Sequence, residues 1–278
     1  MHNTGTFKIR GAANKLLSLS DAERRRGVIT VSSGNHGKSV AYMAEQLGSR
    51  AVICVSHLVP PEKVAGLRAY GAEVVTYGQN QDEADAKARE LVERDGLVFV
   101  PPFDDPFVIA GQGTLGLELV EQCPQLETIL VQLSGGGLMS GVALALKALR
   151  PQVRLIAVSS LHGAAMHESV KAGHIIKVDE KISIADALPG PIPSDNVYTF
   201  DLCRRLVDDF VKVSDAAIEQ AMAYILRHEK CVVEGGAAAG VAHLLAQAGS
   251  IAGNAVVAIL TGDNIAVDRA LRVYSKGP

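Results

Sequence analysis

The sequence has no apolar run long enough to span a membrane, no long stretch of lysine and arginine, and no pair of cysteines spaced to hold zinc. Lys8 and Arg10 stand where a signal peptide would need its hydrophobic stretch, so neither a membrane nor an export route is expected. A formal net charge of -3 without a basic run gives no reason to expect nucleic acid as a partner. Cys54, Cys123, Cys203 and Cys231 are scattered, with no CxxC pair, and read as thiols of a reducing compartment. A cytoplasmic protein follows as the expectation. His162 and His167 do not form a metalloprotease helix motif and the other histidines are dispersed, so no metal site is expected. Neither repeats nor low-complexity tracts occur.

What is present is a strong strand-helix alternation. The 278 residues, 48% of them hydrophobic and 21% charged, can bury a sizeable core in one large domain or two smaller ones. Gly27 to Val31, Ala51 to Val55, Glu73 to Tyr77 and Leu97 to Val100 read as strands. Helical patterns run from Gly37 to Leu47, from Pro61 towards Tyr70, and from Gln81 to Arg94. After Pro101-Pro102 the pattern resumes, with helices at Thr114 to Gln122 and Ser140 to Leu149 and strands at Thr128 to Leu133 and Arg154 to Ser159. Leu161 to Asn196, rich in Gly and Pro, reads as irregular surface or a lid. Helices around Asp215 to Glu229 and Gly236 to Gln247 and a last strand at Ala255 to Leu260 complete the chain. Such alternation predicts an α/β fold with mainly parallel sheets covered by helices on both faces.

Four segments and one further residue, Glu234, carry chemistry. In Ser134-Gly135-Gly136-Gly137-Leu138, between a strand and a helix, successive glycines let backbone N–H groups turn to one point at a helix start, which suits a phosphate. A tight turn with close helix-sheet packing explains the same glycines. Rossmann dinucleotide binding expects an acidic residue at the tip of the next strand, where Val158-Ser159-Ser160 stands instead. Ser32-Ser33-Gly34-Asn35-His36-Gly37 is a polar loop at another helix start, able to hold an anion or simply to cap the helix. Thr261, in Leu260-Thr261-Gly262-Asp263-Asn264, follows a strand, where open α/β sheets place ligand-binding loops. Glu234 reads as a helix-start carboxylate. Lys8, in Thr4-Gly5-Thr6-Phe7-Lys8-Ile9-Arg10-Gly11-Ala12, is a lysine among small residues, able to form an imine with an aldehyde cofactor.

Taken together and in this order, the lysine segment, the asparagine loop, the triple glycine and the terminal Thr-Gly-Asp-Asn resemble the threonine/serine dehydratase and serine racemase branch of the tryptophan-synthase-β (fold-type II) pyridoxal-phosphate enzymes. The resemblance covers nearly the whole chain. It implies two three-layer αβα domains, a small one at residues 19–100 inserted into a large one made of 1–18 and 101–278. It implies pyridoxal 5'-phosphate (PLP) as cofactor, joined to Lys8 as a Schiff base. Asn35 would meet the ring hydroxyl, Gly135, Gly136, Gly137 and Leu138 the phosphate, and Thr261 the pyridine nitrogen, with Glu234 nearby. Ser32, Ser33, Gly34, Asn35 and His36 would hold the substrate carboxylate, and Ser33 aligns with a serine that exchanges a proton in racemising relatives.

The implied activity is dehydration of a small β-hydroxy amino acid, L-threonine or L-serine, to a 2-oxo acid and ammonia by a homodimer, with Lys8 taking the α-proton. Racemisation, β-replacement and PLP binding without turnover are the alternatives. Ser134 departs from the family's fourth glycine, and Ile184 to Gly190 is more similar to the hydroxyectoine-utilisation dehydratases, with Ala187 replacing the glycine of a cation-binding segment beside Asp186. Elements that precede the lysine segment in relatives are expected to be missing here, as is the regulatory C-terminal domain of feedback-inhibited threonine deaminases.

Overall fold

Runs such as Val28-Ile29-Thr30-Val31 and Ala51-Val52-Ile53-Cys54-Val55 are apolar on both faces, as strands sandwiched between helices must be. The computed structural model describes residues 2–179, 181–247 and 253–275 and places these runs at the centre of a sheet. The first of two compact units, Met1–Gly111, contains α1 (Lys8–Leu17), α2 (Asp21–Arg26), β1 (Val28–Val31), α3 (Asn35–Gln46), β2 (Ala51–Val55), α4 (Pro61–Arg68), β3 (Glu73–Thr76), α5 (Gln81–Asp95) and β4 (Val98–Phe99). The unit boundary falls inside α6 (Pro106–Gln122).

The strands pair in parallel in the order β3-β2-β1-β4, with Val28 opposite Ala51 on one side and Val98 on the other. Successive residues point to opposite faces. Val28, Ala51 and Ile53 pack with Val40, Ala41 and Ala44 of α3 and Ala12 and Leu16 of α1. Ile29, Val31, Val52 and Cys54 face the other way, onto Ala84, Ala88 and Leu91 of α5. The unit is therefore a three-layer αβα sandwich, and the whole first sheet lies within the segment from Leu19 to Val100.

The second unit, Gln112–Pro278, contains β5 (Thr128–Gln132), α7 (Gly137–Leu149), β6 (Arg154–Ser160), α8 (Ala165–Ala172), α9 (Thr199–Leu206), β7 (Asp209–Val213), α10 (Asp215–Glu229), α11 (Gly235–Ala246), β8 (Val256–Ala258) and α12 (Val267–Tyr274). Its parallel sheet has the order β7-β6-β5-β8, the same permutation as the first with β5 in the place of β1. Leu130, Ile156 and Val158 pack on Ile218 and Met222 of α10 and Ala238 and Ala242 of α11, while α7 packs on β5 and α9. In each sheet the chain reverses its direction of travel beside its first strand, which opens a crevice at the carboxyl ends of β1 and β4 and another at those of β5 and β8.

The expected elements form, with shifted ends. The helix expected from Thr114 begins at Pro106, because Asp105 Oδ1 accepts from the N–H groups of Phe107 and Val108 and caps an earlier turn. The strand expected over Leu97 to Val100 shortens to Val98–Phe99 ahead of Pro101 and Pro102, which have no N–H to donate. The stretch expected to be irregular contains α8, and α1, α2, α9, β7 and α12 were not foreseen as elements. No described helix is long and apolar enough to cross a membrane.

Candidate active site

The crevice of the first unit gathers the lysine segment and the asparagine loop. Lys8 is the first residue of α1, and Thr6 Oγ1 accepts its backbone N–H at 3.3 Å. Its Nζ donates to the carbonyl of Pro102, just beyond β4, at 2.6 Å and lies 5.4 Å from the Phe7 ring centroid. Burial lowers the ammonium pKa to about 8, so Lys8 gives up its proton more readily than an exposed lysine, although the ammonium still dominates at pH 7. The loop after β1 carries Ser32, Ser33, Gly34 and Asn35, all partly buried, with Gly34 N–H on Ser32 Oγ at 3.3 Å and Ser39 Oγ on the Asn35 carbonyl at 2.8 Å.

His36, 3% exposed, sets its Nε2 2.9 Å from the carbonyl of Val100. A carbonyl only accepts, so Nε2 carries the proton, and Nδ1 is a buried lone pair with no hydrogen-bond partner among the described residues. Burial, and then the Lys8 charge, push the imidazole pKa down to about 3 against the pull of the Val100 hydrogen bond. Lys8 and His36 thus hang on carbonyls two residues apart, and His36 stays neutral beside the lysine.

Gly37 shows why the loop turns where it does. A Cβ there would lie 2.1 Å from the Ser32 carbonyl oxygen, so only glycine lets α3 start directly over the loop. Gly37→Ala is expected to cost about 3 kcal/mol, the upper range for forcing atoms into packed structure. Denaturant unfolding checks this, and a wild-type midpoint would refute the close approach.

The crevice of the second unit gathers the other candidates. Gly135, Gly136, Gly137 and Leu138 are buried between β5 and α7, and Ser140 N–H closes back on the Gly136 carbonyl at 2.8 Å. Gly136 has φ +88°, and a Cβ on it would sit 3.0 Å from Met166 Cε and 3.1 Å from Cys203 Sγ, so conformation and packing both require glycine. Thr261, beyond β8, is buried, and so is Glu234, the N-cap of α11, whose N–H donates to the Gly262 carbonyl at 3.1 Å. The structure also brings Gln132 here, at the end of β5, a residue outside the four candidate segments. Its signal was a polar residue closing an otherwise apolar strand just before the glycines.

A family profile described as pyridoxal-phosphate dependent enzyme matches residues 1–262. The chain belongs to this family. It is 47% identical over 262 residues to a putative threonine dehydratase of Sinorhizobium fredii, covering 94% of this chain and 79% of that protein. It is 40% identical over 277 residues to an L-threonine ammonia-lyase of Thermotoga maritima, covering 100% of this chain and 68% of that protein. The processed form of threonine deaminase isoform 2 from Solanum lycopersicum superposes with a TM-score of 0.92 at 35% identity, over 99% of this chain and 80% of that one. These likenesses place the chain in the threonine/serine dehydratase branch of the pyridoxal-phosphate dependent enzymes, whose cofactor is PLP.

The groups present fit that cofactor. α2, α5, α6 and α10 are capped by Ser20, Asn80, Asp105 and Ser214, and α4, α8, α9 and α12 carry Glu62, Glu168, Asp201 and Asp268 in their first turns. α1, α3 and α7 begin with neither a capping side chain nor an acid in the first turn; α1 opens on its own Lys8, and the positive ends of α3 and α7 are left uncompensated. Those ends carry the asparagine loop and the glycine loop, and an anion is what each lacks. PLP with an amino-acid substrate brings a phosphate and a carboxylate. Among the described residues no cluster of His, Cys, Asp and Glu could hold a metal ion, and Asp186 pairs with Arg269 at 3.8 Å.

Proposed function

We propose that this pyridoxal-phosphate dependent enzyme is an ammonia-lyase that converts L-threonine to 2-oxobutanoate and ammonia and accepts L-serine as the smaller substrate. One observation carries the assignment of the lysine: Lys8 is a partly buried amine with a pKa of about 8, held on Pro102 in the same crevice as the open mouth of α3. A free amine is the form that bonds a carbonyl carbon and the form that removes a proton. Lys8 Nζ would therefore carry the cofactor through its aldehyde and, once released by the substrate amine, take the α-proton. PLP, when bound, supplies the electron sink.

The remaining roles follow the chemistry of each group. Gly135, Gly136, Gly137 and Leu138 would hold the phosphate at the positive end of α7. Ser32, Ser33, Gly34, Asn35 and His36 would orient the substrate carboxylate at the mouth of α3, with the Asn35 amide on the ring hydroxyl and the Ser33 hydroxyl as a proton carrier on the second face. Thr261 would offer the pyridine nitrogen a neutral hydroxyl, which cannot stabilise a protonated ring as a carboxylate does and so favours elimination. Glu234, a buried carboxylate joined to the same loop through its N–H, would sit beside that ring. Four free thiols support a cytoplasmic enzyme, and a homodimer is the assembly we propose.

The test is to incubate the PLP-loaded protein with L-threonine and measure 2-oxobutanoate and ammonia. Equal amounts of both, abolished in Lys8→Ala, are expected. Recovered substrate inverted at Cα without oxo acid would replace the reading by racemisation, and bound PLP with unchanged substrate would replace it by binding without turnover.

A further inference from the structure

Gln132 closes β5, a strand otherwise made of Thr128, Ile129, Leu130 and Val131, and only 6% of it is exposed. Its Nε2 donates to the carbonyl of Ile259 at 2.7 Å and to that of Ala237 at 2.9 Å. Both partners only accept, so the amide can be oriented one way, and Oε1 is left buried with no partner among the described residues. An apolar side chain of the same length would fill this space without stranding an oxygen. What the amide adds is therefore its two donors and the geometry they impose.

Those donors reach the exit of β8 and the start of α11. Ile259 lies two residues before Thr261, and Ala237 sits in the first turn of α11, whose N-cap Glu234 donates its own N–H to Gly262. α11 comes close enough because its sheet face is made of small residues: a Cβ on Gly240 would lie 3.3 Å from Ala258 Cβ and 3.5 Å from Leu130 Cβ. The result is a closed ring of contacts joining the end of β5, the exit of β8 and the start of α11. The glycine loop begins directly after it, so the strand that delivers Gly135 is the strand that Gln132 ties to the other two elements.

We propose that Gln132 is a positioning residue that sets Thr261 and Glu234 against the glycine loop. This rests on the cofactor roles proposed above, but the ring itself can be tested without cofactor. Gln132→Met keeps the length and loses both donors. In the cofactor-free full chain, hydrogen exchange of the amides at 234–237 and 259–262 is expected to quicken about tenfold, the effect of one lost hydrogen bond. Amides of β6 and β7 should exchange as in wild type. In the loaded enzyme, kcat for L-threonine should fall about tenfold with KM within about twofold, and Thr261→Ala should then cost far less than it does in wild type, because the hydroxyl is already displaced.

Unchanged exchange in both segments, or penalties of Gln132→Met and Thr261→Ala that simply multiply, would overturn the proposal. Gln132→Asn, one methylene shorter, guards against a variant that does not fold: it is expected to show the same segment-specific exchange, and a uniform rise across the unit would count against positioning. Should the wild-type chain bind no PLP, the roles assigned to the cofactor fail while the exchange measurement still decides whether Gln132 holds the ring.

Discussion

Lys8→Ala is expected to abolish covalent PLP attachment and to lower kcat/KM by on the order of 10³-fold or more, within the range that a positioned acid-base group supplies. Activity alone would not distinguish loss of the amine from collapse of the crevice. The pH dependence of cofactor uptake does. Lys8 is held near pKa 8 by burial, so the ammonium dominates below that pH and cannot attack, whereas the amine dominates above it. The rate at which cofactor-free protein takes up PLP should therefore rise with pH through about 8 and then level off. A midpoint near the ordinary lysine value would mean that Lys8 is solvated, and an imine band persisting in Lys8→Ala would move the attachment to another lysine.

Acid should weaken the native state through His36, and the sign follows from the proton balance. Between pH 6.5 and about 3 the unfolded chain protonates this imidazole and the native chain does not, so unfolding takes up a proton and stability falls as pH falls. The penalty is zero well above pH 6.5, reaches roughly 2 kcal/mol at pH 5, and saturates near 5 kcal/mol below pH 3. His36→Gln removes the titration. The loss of stability between pH 7 and pH 5, read by denaturant unfolding, should be about 2 kcal/mol smaller in the variant, and other groups cancel in the difference. Equal losses in the two proteins would show that His36 is accessible to solvent when native. Lys8 is charged in both states over this range and adds no slope.

The legible part of the fold was the part written in local pattern. β2 and α10 coincide with their expected limits because an apolar run of five between turns, and a Ser214 cap followed by a charged amphipathic stretch, are strong local signals. α1 was hidden because Gly11 and Ala12 stand where a packed helix usually shows large apolar residues; it is a helix because α3 lies against that small face. β7 was hidden because Asp209 and Lys212 interrupt it, which an edge strand tolerates. Most of the candidate residues were legible because they lie where a strand gives way to a polar or glycine-rich loop, after β1, β5 and β8, whereas Lys8 opens α1 and Glu234 stands between α10 and α11.

By itself the sequence determined the alternation that makes the chain α/β, the loops that carry Lys8, Asn35, Gly135 to Leu138 and Thr261, and the order in which they occur. These are short-range matters of periodicity, turn residues and backbone freedom. The tertiary structure alone decided that β4 and β8 pair beside β1 and β5, which turns distant loops into the two crevices. It also decided the protonation states, because the pKa values of Lys8 and His36 follow from burial and from carbonyls 94 and 64 residues away in the chain. Gln132 belongs with these: its two partners lie 105 and 127 residues on, and a hydrogen bond between groups so far apart exists only once the sheet and its helices have packed.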